Sequence, residues 1–341
     1  MTNIYEGKNI LVIGGTGTIG KAVTAELLKC NPKVVRIFSR DEYKQFVMAE
    51  ELKQYRNIRF LIGDIRDRER TSKAMHDIDI VFDFAALKHV PSCEYNPFEA
   101  IKTNVVGTQN VIDAAMENNV KRLIYSSSDK AVNPTNTMGA TKLLAERIIS
   151  TANYSKGSAK TVFAAVRFGN IMGSRGSVIP LFREQILNQR CVTVTHPDMT
   201  RFMMTKNDAV NLIFEATEKA VGGEIFILKM PVVKIGDLAD SVIDVVCDKH
   251  GINKDEVKVE TIGLRSGEKM YEELMSGIEA QNAVEMDKLY AILPFSDNMY
   301  FIHDNYKNAP KVCADNRYIS TYNSYLDESE IVKIIKEQNL I

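Results

Sequence analysis

At 341 residues, 45% hydrophobic and 26% charged, the chain can bury a large core as one elaborated domain or about two domains. Its 43 basic and 44 acidic residues nearly cancel, which excludes a charge-driven partner such as nucleic acid or an anionic membrane surface. Cys30, Cys93, Cys191, Cys247 and Cys313 are scattered without zinc or CxxC spacing, so a reduced cytoplasmic protein is expected, with no bound metal.

From the N-terminus, short apolar runs alternate with longer amphipathic ones. The first apolar run is short and leads straight into a glycine loop, unlike a secretory leader, and no run approaches the roughly 18–20 residues of a membrane span. Asn9–Ile13, Val34–Phe38, Ile58–Ile62, Ile80–Phe84, Arg122–Tyr125 and Thr161–Val166 read as strands. Helices are expected over Ile19–Lys29, Lys44–Gln54, Arg68–Met75, Pro97–Asn118 and Met138–Ala152. This rhythm predicts an α/β fold, a Rossmann-type doubly wound parallel sheet with helices on both faces. After about residue 170 the rhythm loosens. Ser177–Asn188, Lys206–Lys219 and Ile235–Asp248 read as helices, Glu224–Leu228 and Val257–Ile262 as strands. A tyrosine-rich stretch (Tyr318, Tyr322, Tyr325) precedes a last amphipathic helix, Glu328–Glu337. This region is too short for a second full Rossmann unit, so a boundary is expected near 170, with residues 171–341 as a smaller lobe and tail.

The first loop, Gly14-Gly15-Thr16-Gly17-Thr18-Ile19-Gly20, follows a strand and opens a helix. Glycines there let the backbone turn sharply and approach a pyrophosphate seated on helix N-terminal amides. The acidic residue expected about 20 positions on, which would bond a ribose 2′-hydroxyl, is missing. The second strand ends in Ser39-Arg40 instead, with Lys44 a further cation nearby. That pair suits a 2′-phosphate, so NADP is expected in preference to NAD. Asp64-Ile65, after the third strand, is a candidate adenine contact and equally a turn.

Ser128-Asp129-Lys130 sets an acid beside an amine directly after the fifth strand, and the helix that follows carries Lys142. Four residues before that lysine, where related sites hold a tyrosine, stands Met138. Together with Ala85-Ala86-Leu87-Lys88 and Thr103–Thr108, these pieces resemble an extended short-chain dehydrogenase/reductase. More narrowly, the chain resembles the UDP-N-acetylglucosamine 4,6-dehydratase family of glycan biosynthesis over nearly its whole length. The most specific stretches are Ser39–Glu42, Ala86–Pro91, Ser128–Pro134, Met138–Lys142, Gly173–Val178, Met199–Phe202 and Gly263–Lys269. Two departures stand out: Ser128 replaces the family's usual threonine, and Met138 replaces its tyrosine, a substitution part of the family shares.

The resemblance implies a lyase. Oxidising C4 of the hexose to a ketone makes the C5 proton acidic, the 6-hydroxyl leaves, and the hydride taken from C4 returns at C6. It further implies Lys130 as the base at C5, Asp129 as the acid for the leaving hydroxyl, and Lys142 on the nicotinamide ribose. Ser128, a water or a neighbouring lysine would serve the 4-hydroxyl, and Met138 would line the sugar pocket. Gly14, Thr16, Gly17, Thr18, Ile19, Gly20, Ser39, Arg40, Lys44, Asp64, Ile65, Ala85 and Ala86 would hold the coenzyme in residues 1–170. Lys88, Asn170, Arg175, Ser177, Val178, Arg201, Arg265 and Glu268 would meet a UDP-sugar, the last seven making residues 171–341 a substrate-binding lobe with Asn170 at its edge. Guanidinium forks suit diphosphate oxygens. C5 stereochemistry stays open. Competing readings are a UDP-sugar C4-epimerase or keto-sugar reductase, which would ordinarily need the tyrosine, and a nonenzymatic NADP-binding sensor. A homo-oligomer, dimer or hexamer, is expected through Pro97–Asn118 and Met138–Ala152.

Overall fold

The computed structural model describes residues 3–174, 176–264, 267–294, 304–312 and 318–341. In chain order it contains β1 (Asn9–Ile13), α1 (Thr18–Lys29), β2 (Val34–Ser39), α2 (Glu42–Glu51), β3 (Ile58–Ile62), α3 (Arg68–Ala74) and β4 (Ile80–Asp83). Next come α4 (Val90–Tyr95), α5 (Pro97–Ile101), α6 (Gly107–Glu117), β5 (Arg122–Ser128), α7 (Thr137–Ser155) and β6 (Val162–Phe168). The later part adds β7 (Asn170–Ile171), α8 (Val178–Gln189), β8 (Cys191–Val194), β9 (Thr200–Met204), α9 (Lys206–Lys219) and β10 (Ile225–Leu228). It ends with β11 (Val232–Lys234), α10 (Ile235–His250), β12 (Lys258–Thr261), α11 (Gly277–Gln281), β13 (Ala283–Glu285), β14 (Leu289–Ile292) and α12 (Glu328–Glu337).

Two compact units divide the chain. The first takes in residues 1–168, 210–228 and 276–312; the second takes in 169–209, 229–275 and 313–341. The sequence reading drew one boundary near 170, with consecutive halves. The units instead interleave, because β10, β14 and β13 extend the sheet of the first unit in the order β13-β14-β10-β6-β5-β4-β1-β2-β3. From β3 to β10 the pairings are parallel, and β14 and β13 close one edge antiparallel. Near-continuous burial of runs such as Asn9–Ile13 and Val162–Phe168 is what a parallel sheet covered on both faces demands. The order β3-β2-β1-β4-β5-β6 is the expected Rossmann-type arrangement, and its order reverses between β1 and β4, where such sheets bind ligands at their carboxyl ends.

The helix expected over Pro97–Asn118 is broken. α5 gives way to a π-helical turn over Lys102–Val106 before α6 begins, and α4 precedes them as a separate short helix. The wide turn holds Asn104, fully buried, whose amide is spent outside the helix. Its Oδ1 accepts from Leu87 N at 2.8 Å, and its Nδ2 donates to Leu87 O and Thr141 Oγ1, each at 3.0 Å. Such turns recur at functional sites. Helix α2 starts two residues earlier than expected because Asp41 caps it, accepting from Lys44 N at 2.9 Å.

In the second unit, β7, β9 and β11 form one small sheet and β8 and β12 another. Phe182 and Ile186 of α8, Leu238 and Val242 of α10, and Ile331 and Ile335 of α12 meet in its core. Among the described residues, no helix is long and apolar enough to cross a membrane.

Candidate active site

The glycine loop is a cradle that side chains would fill. Gly14 takes φ +70°, and a Cβ there would lie 2.9 Å from Phe84 C. At Gly20 a Cβ would lie 2.5 Å from Gly15 Cα. Gly17 caps α1 without a side chain to bond its first amides. Thr16, Thr18 and Ile19 therefore belong to a loop and first helical turn whose backbone donors are left for an anion. These features fit a dinucleotide pyrophosphate.

Beyond the cradle, Ser39 Oγ accepts from the buried Gln45 Nε2 at 2.9 Å, and Gln45 also donates to Leu61 O at 2.8 Å. Gln45 thereby ties the ends of β2 and β3, a role unread in the sequence. Arg40 is exposed and lies 3.6 Å from Asp64 Oδ2. Lys44 is paired with Asp41. Asp64 accepts two side-chain bonds from Arg66, at 2.9 and 2.7 Å, so its carboxylate is largely taken. Partial burial pushes Asp64 up, but the bonds from Arg66 and the charges of Arg66 and Arg40 hold it below the ordinary carboxylate value. Ile65 is buried under Gly107, where an added Cβ would come within 2.6 Å of it.

At the carboxyl end of β5, Ser128 caps a 3₁₀ turn over Asp129–Ala131. Asp129 Oδ1 accepts from Ser128 Oγ at 2.6 Å, from Lys130 N at 2.9 Å and from Lys130 Nζ at 3.1 Å. The Asp129 side chain is 1% exposed, that of Lys130 34%. The acid is thus buried and the amine reaches outward. Gly139 lets α7 start against this turn: a Cβ there would sit 2.2 Å from Lys130 O. Asn136 caps the helix by accepting from Gly139 N at 2.9 Å.

Lys142, one turn along α7, is buried and donates to Tyr125 Oη at 3.0 Å and Ser126 O at 2.8 Å. Burial lowers it to about 8, against the opposing charges of Asp83 and Glu146. Met138, expected to line the sugar pocket, is 3% exposed and packs in an apolar cluster with Cys93 and Ala100. Ala85 and Ala86 lie in the loop after β4, where Ala85 N donates to Asp83 Oδ1 at 3.0 Å. Lys88 follows in the loop that Asn104 fastens; partial burial, then the charge of Lys130, lowers its pKa.

In the second unit, Asn170, Ser177, Val178 and Arg201 line a cavity of about 240 Å³. Ser177 Oγ is buried there with no hydrogen-bond partner among the described residues. The sequence reading missed Glu272, which organises this wall. Its carboxylate accepts from Asn170 Nδ2 at 3.0 and 2.8 Å and from Phe202 N at 3.1 Å, and lies 3.3 Å from Arg201 Nε. Arg201 also bonds Thr200 O and Lys269 O, so it is a braced strut here rather than an open fork. Glu268 is half-buried. Arg175 and Arg265 lie outside the described residues.

A Rossmann-type sheet with a glycine cradle, an acid–amine turn and a helical lysine defines an extended short-chain dehydrogenase/reductase scaffold. Residues 10–294 match the polysaccharide biosynthesis protein family, and the chain belongs to it. Within that family, the resemblance to the UDP-N-acetylglucosamine 4,6-dehydratases holds. An inverting UDP-N-acetylglucosamine 4,6-dehydratase of Campylobacter jejuni is 42% identical over 340 residues, 97% of this chain and 98% of that protein. A UDP-glucose 4-epimerase of Rickettsia canadensis is 37% identical over 342 residues, 99% and 98% of the two chains. An uncharacterized membrane protein of Methanocaldococcus jannaschii is 48% identical over 337 residues, 99% and 98% of the two. The crystal structure of Pen from Bacillus thuringiensis superposes with a TM-score of 0.93 at 49% identity, covering 99% of each chain.

Proposed function

We propose that the protein is an NADP-dependent lyase that converts UDP-N-acetylglucosamine to a UDP-2-acetamido-2,6-dideoxy-4-hexulose. The observation that carries this reading is the Ser128-Asp129-Lys130 turn, where hydroxyl, carboxyl and amine are hydrogen-bonded in sequence at the carboxyl end of β5. When bound, NADP supplies the acceptor for the C4 hydride and its donor to C6. The side chains handle the protons. Ser128 Oγ accepts the 4-hydroxyl proton while passing its own to Asp129, 2.6 Å away. Lys130, in its amine form, takes the proton from C5. Asp129 then gives its proton to the departing 6-hydroxyl, which leaves as water, and Lys130 returns a proton to C5. A methionine at 138 can do none of this, and the relay makes a phenol there unnecessary. Each positioned proton-transfer group typically contributes about 10²–10⁴-fold. Lys142 seats the nicotinamide ribose.

NADP is preferred to NAD because Ser39 and Arg40 stand at the end of β2 where a ribose-binding carboxylate would otherwise be expected. The cavity lined by Asn170, Ser177 and Arg201 is read as part of the UDP site. A cytoplasmic homo-oligomer completes the proposal, the Methanocaldococcus relative's name notwithstanding.

The Rickettsia relative favours a second reading, C4-epimerisation of a UDP-sugar. Incubation with UDP-N-acetylglucosamine and NADP in deuterated water separates the two. The lyase yields a product lighter by one water, with deuterium at C5, and NMR reads the C5 configuration. An epimerase keeps the water, and an unaltered sugar would favour a sensor. Lys130→Ala and Asp129→Asn should each lower 4-keto product by at least about 10³-fold while NADP affinity stays within about twofold. Normal turnover in either variant overturns the assignment.

A further inference from the structure

Glu146, which acts on Lys142, is already engaged in a buried charge cluster with Arg167 and Glu279. Arg167, fully buried, bonds Glu146 at 2.9 and 2.6 Å and Glu279 at 3.2 and 3.0 Å. Glu279 lies 4.0 Å from Arg147 as well. Glu146 and Glu279 are thus spent on arginines. The other acid that acts on Lys142 is Asp83, which is 0% exposed, whereas the buried Asp129 is engaged by Ser128 and Lys130. Asp83 and Tyr125 stand opposite each other on β4 and β5, so they share a face of the sheet. Lys142 Nζ bonds the Tyr125 hydroxyl on that face. Asp83 Oδ1 is bonded by Ala85 N, whereas Oδ2 is buried without a hydrogen-bond partner among the described residues. An unsatisfied buried carboxyl oxygen is costly and calls for a reason.

We propose that Asp83 is a positioning residue for Lys142: it supplies the buried negative charge that keeps this lysine an ammonium, seated on Tyr125 and Ser126 at the floor of the coenzyme site. The need arises from Met138. A tyrosine at that position could lend Lys142 an ionisable partner; a thioether packed on Cys93 and Ala100 cannot. A buried ammonium then requires a counter-charge from elsewhere, and β4 provides it. Burial pushes Asp83 up to about 6, against its bond from Ala85 N and the charge of Lys142, and it lowers Lys142 to about 8. The groups facing this pair are Tyr125 from β5, Glu146 from α7 and, through Glu146, Arg167 from β6 and Glu279 from α11. Tyr125 is held protonated, chiefly by burial and then by Asp83 and Glu146. Burial thus brings Asp83 and Lys142 toward neutrality from opposite sides.

The inference rests on the reading of Lys142 as part of the coenzyme site, but its test does not require turnover. Protein carrying ¹³C-labelled lysine, free of coenzyme and substrate, is titrated by NMR, the Lys142 signal being identified by its loss in Lys142→Met. Asp83→Asn should lower the Lys142 midpoint by about one pH unit. Tyr125→Phe should lower it by less. An unmoved midpoint in folded Asp83→Asn overturns the proposal. Where Asp83→Asn does not fold, ¹³C-labelled aspartate carries the test: Lys142→Met should raise the carboxyl midpoint found near 6, and an unchanged carboxyl overturns the proposal equally. In turnover, Asp83→Asn should draw in the alkaline limb by the same shift, whereas damage to folding alone would lower the rate at every pH. A wild-type protein that makes no 4-keto sugar would sink the lyase reading and leave the NMR result standing.

Discussion

The glycine cradle of the first unit and the cavity of the second are read as two anion sites, built from different materials. The cradle is made of backbone: Gly14, Gly17 and Gly20 leave the amides at the start of α1 bare, and no side chain caps them. The cavity is made of side chains, and they are already engaged with one another. Asn170, Arg201 and the Phe202 amide all converge on Glu272. The difference teaches that a backbone site is fixed by where side chains are absent, whereas a side-chain site depends on what braces its members. The first should fail sharply on adding a single carbon. The second should fail gradually, as braces are removed.

The largest effect is therefore expected from Gly20→Ala. Its Cβ would fall 2.5 Å from Gly15 Cα and 2.6 Å from Gly14 O, and both are backbone atoms that cannot turn aside. Overpacking of this kind costs about 1–3 kcal/mol, and here it would displace the loop proposed to meet the phosphates. NADP affinity should fall on the order of 100-fold by calorimetry, with UDP affinity unchanged. Retained NADP binding would show that the cradle is not the pyrophosphate site. A smaller effect is expected from Glu272→Gln, which keeps the shape of the brace and removes its charge. Hydrogen bonds to charged groups contribute about 1.5–3 kcal/mol each, and part of that support would reach the ligand through Asn170 and Arg201. UDP affinity should fall about tenfold while NADP affinity holds. Tighter UDP binding would reverse the argument, making the carboxylate an opponent of the diphosphate.

The same contrast explains what was legible in the sequence. The parallel sheet announced itself through buried apolar runs such as Asn9–Ile13, and the cradle through its glycine spacing, because both are patterns along the chain. The Asp129–Lys130 turn was legible for the same reason, standing directly after an apolar strand. β7 and β11 were not legible, since two or three residues carry no usable period. The break at Lys102–Val106 was hidden because a π turn preserves helical amphipathicity while adding one residue. Glu272 and Asn104 act through partners far off in sequence, which spacing cannot show. Asp83 did leave a trace: a carboxylate inside the apolar run Ile80–Phe84 signals a buried polar group. Met138 was legible as a missing phenol, whereas its packing on Cys93 and Ala100 was not, because that depends on α4 and α5, two short helices that the sequence pattern merges or hides.

Arg40 offers the finest probe, because the proposed preference for NADP rests on a side chain. It is exposed, with 53% of its side chain in solvent, and it already leans toward Asp64 at 3.6 Å. Exposed ion pairs contribute about 0.2–1 kcal/mol, so Arg40→Ala should weaken NADP by no more than about fivefold. NAD, which lacks the 2′-phosphate, should bind as before. Raising the ionic strength should shrink the difference between wild type and variant, since salt screens exposed charges. An equal loss of NADP and NAD affinity would mean that Arg40 acts by holding Asp64 and the end of β3. The preference for the phosphorylated coenzyme would then have to reside in Ser39 and the amides around it, returning the whole site to the backbone.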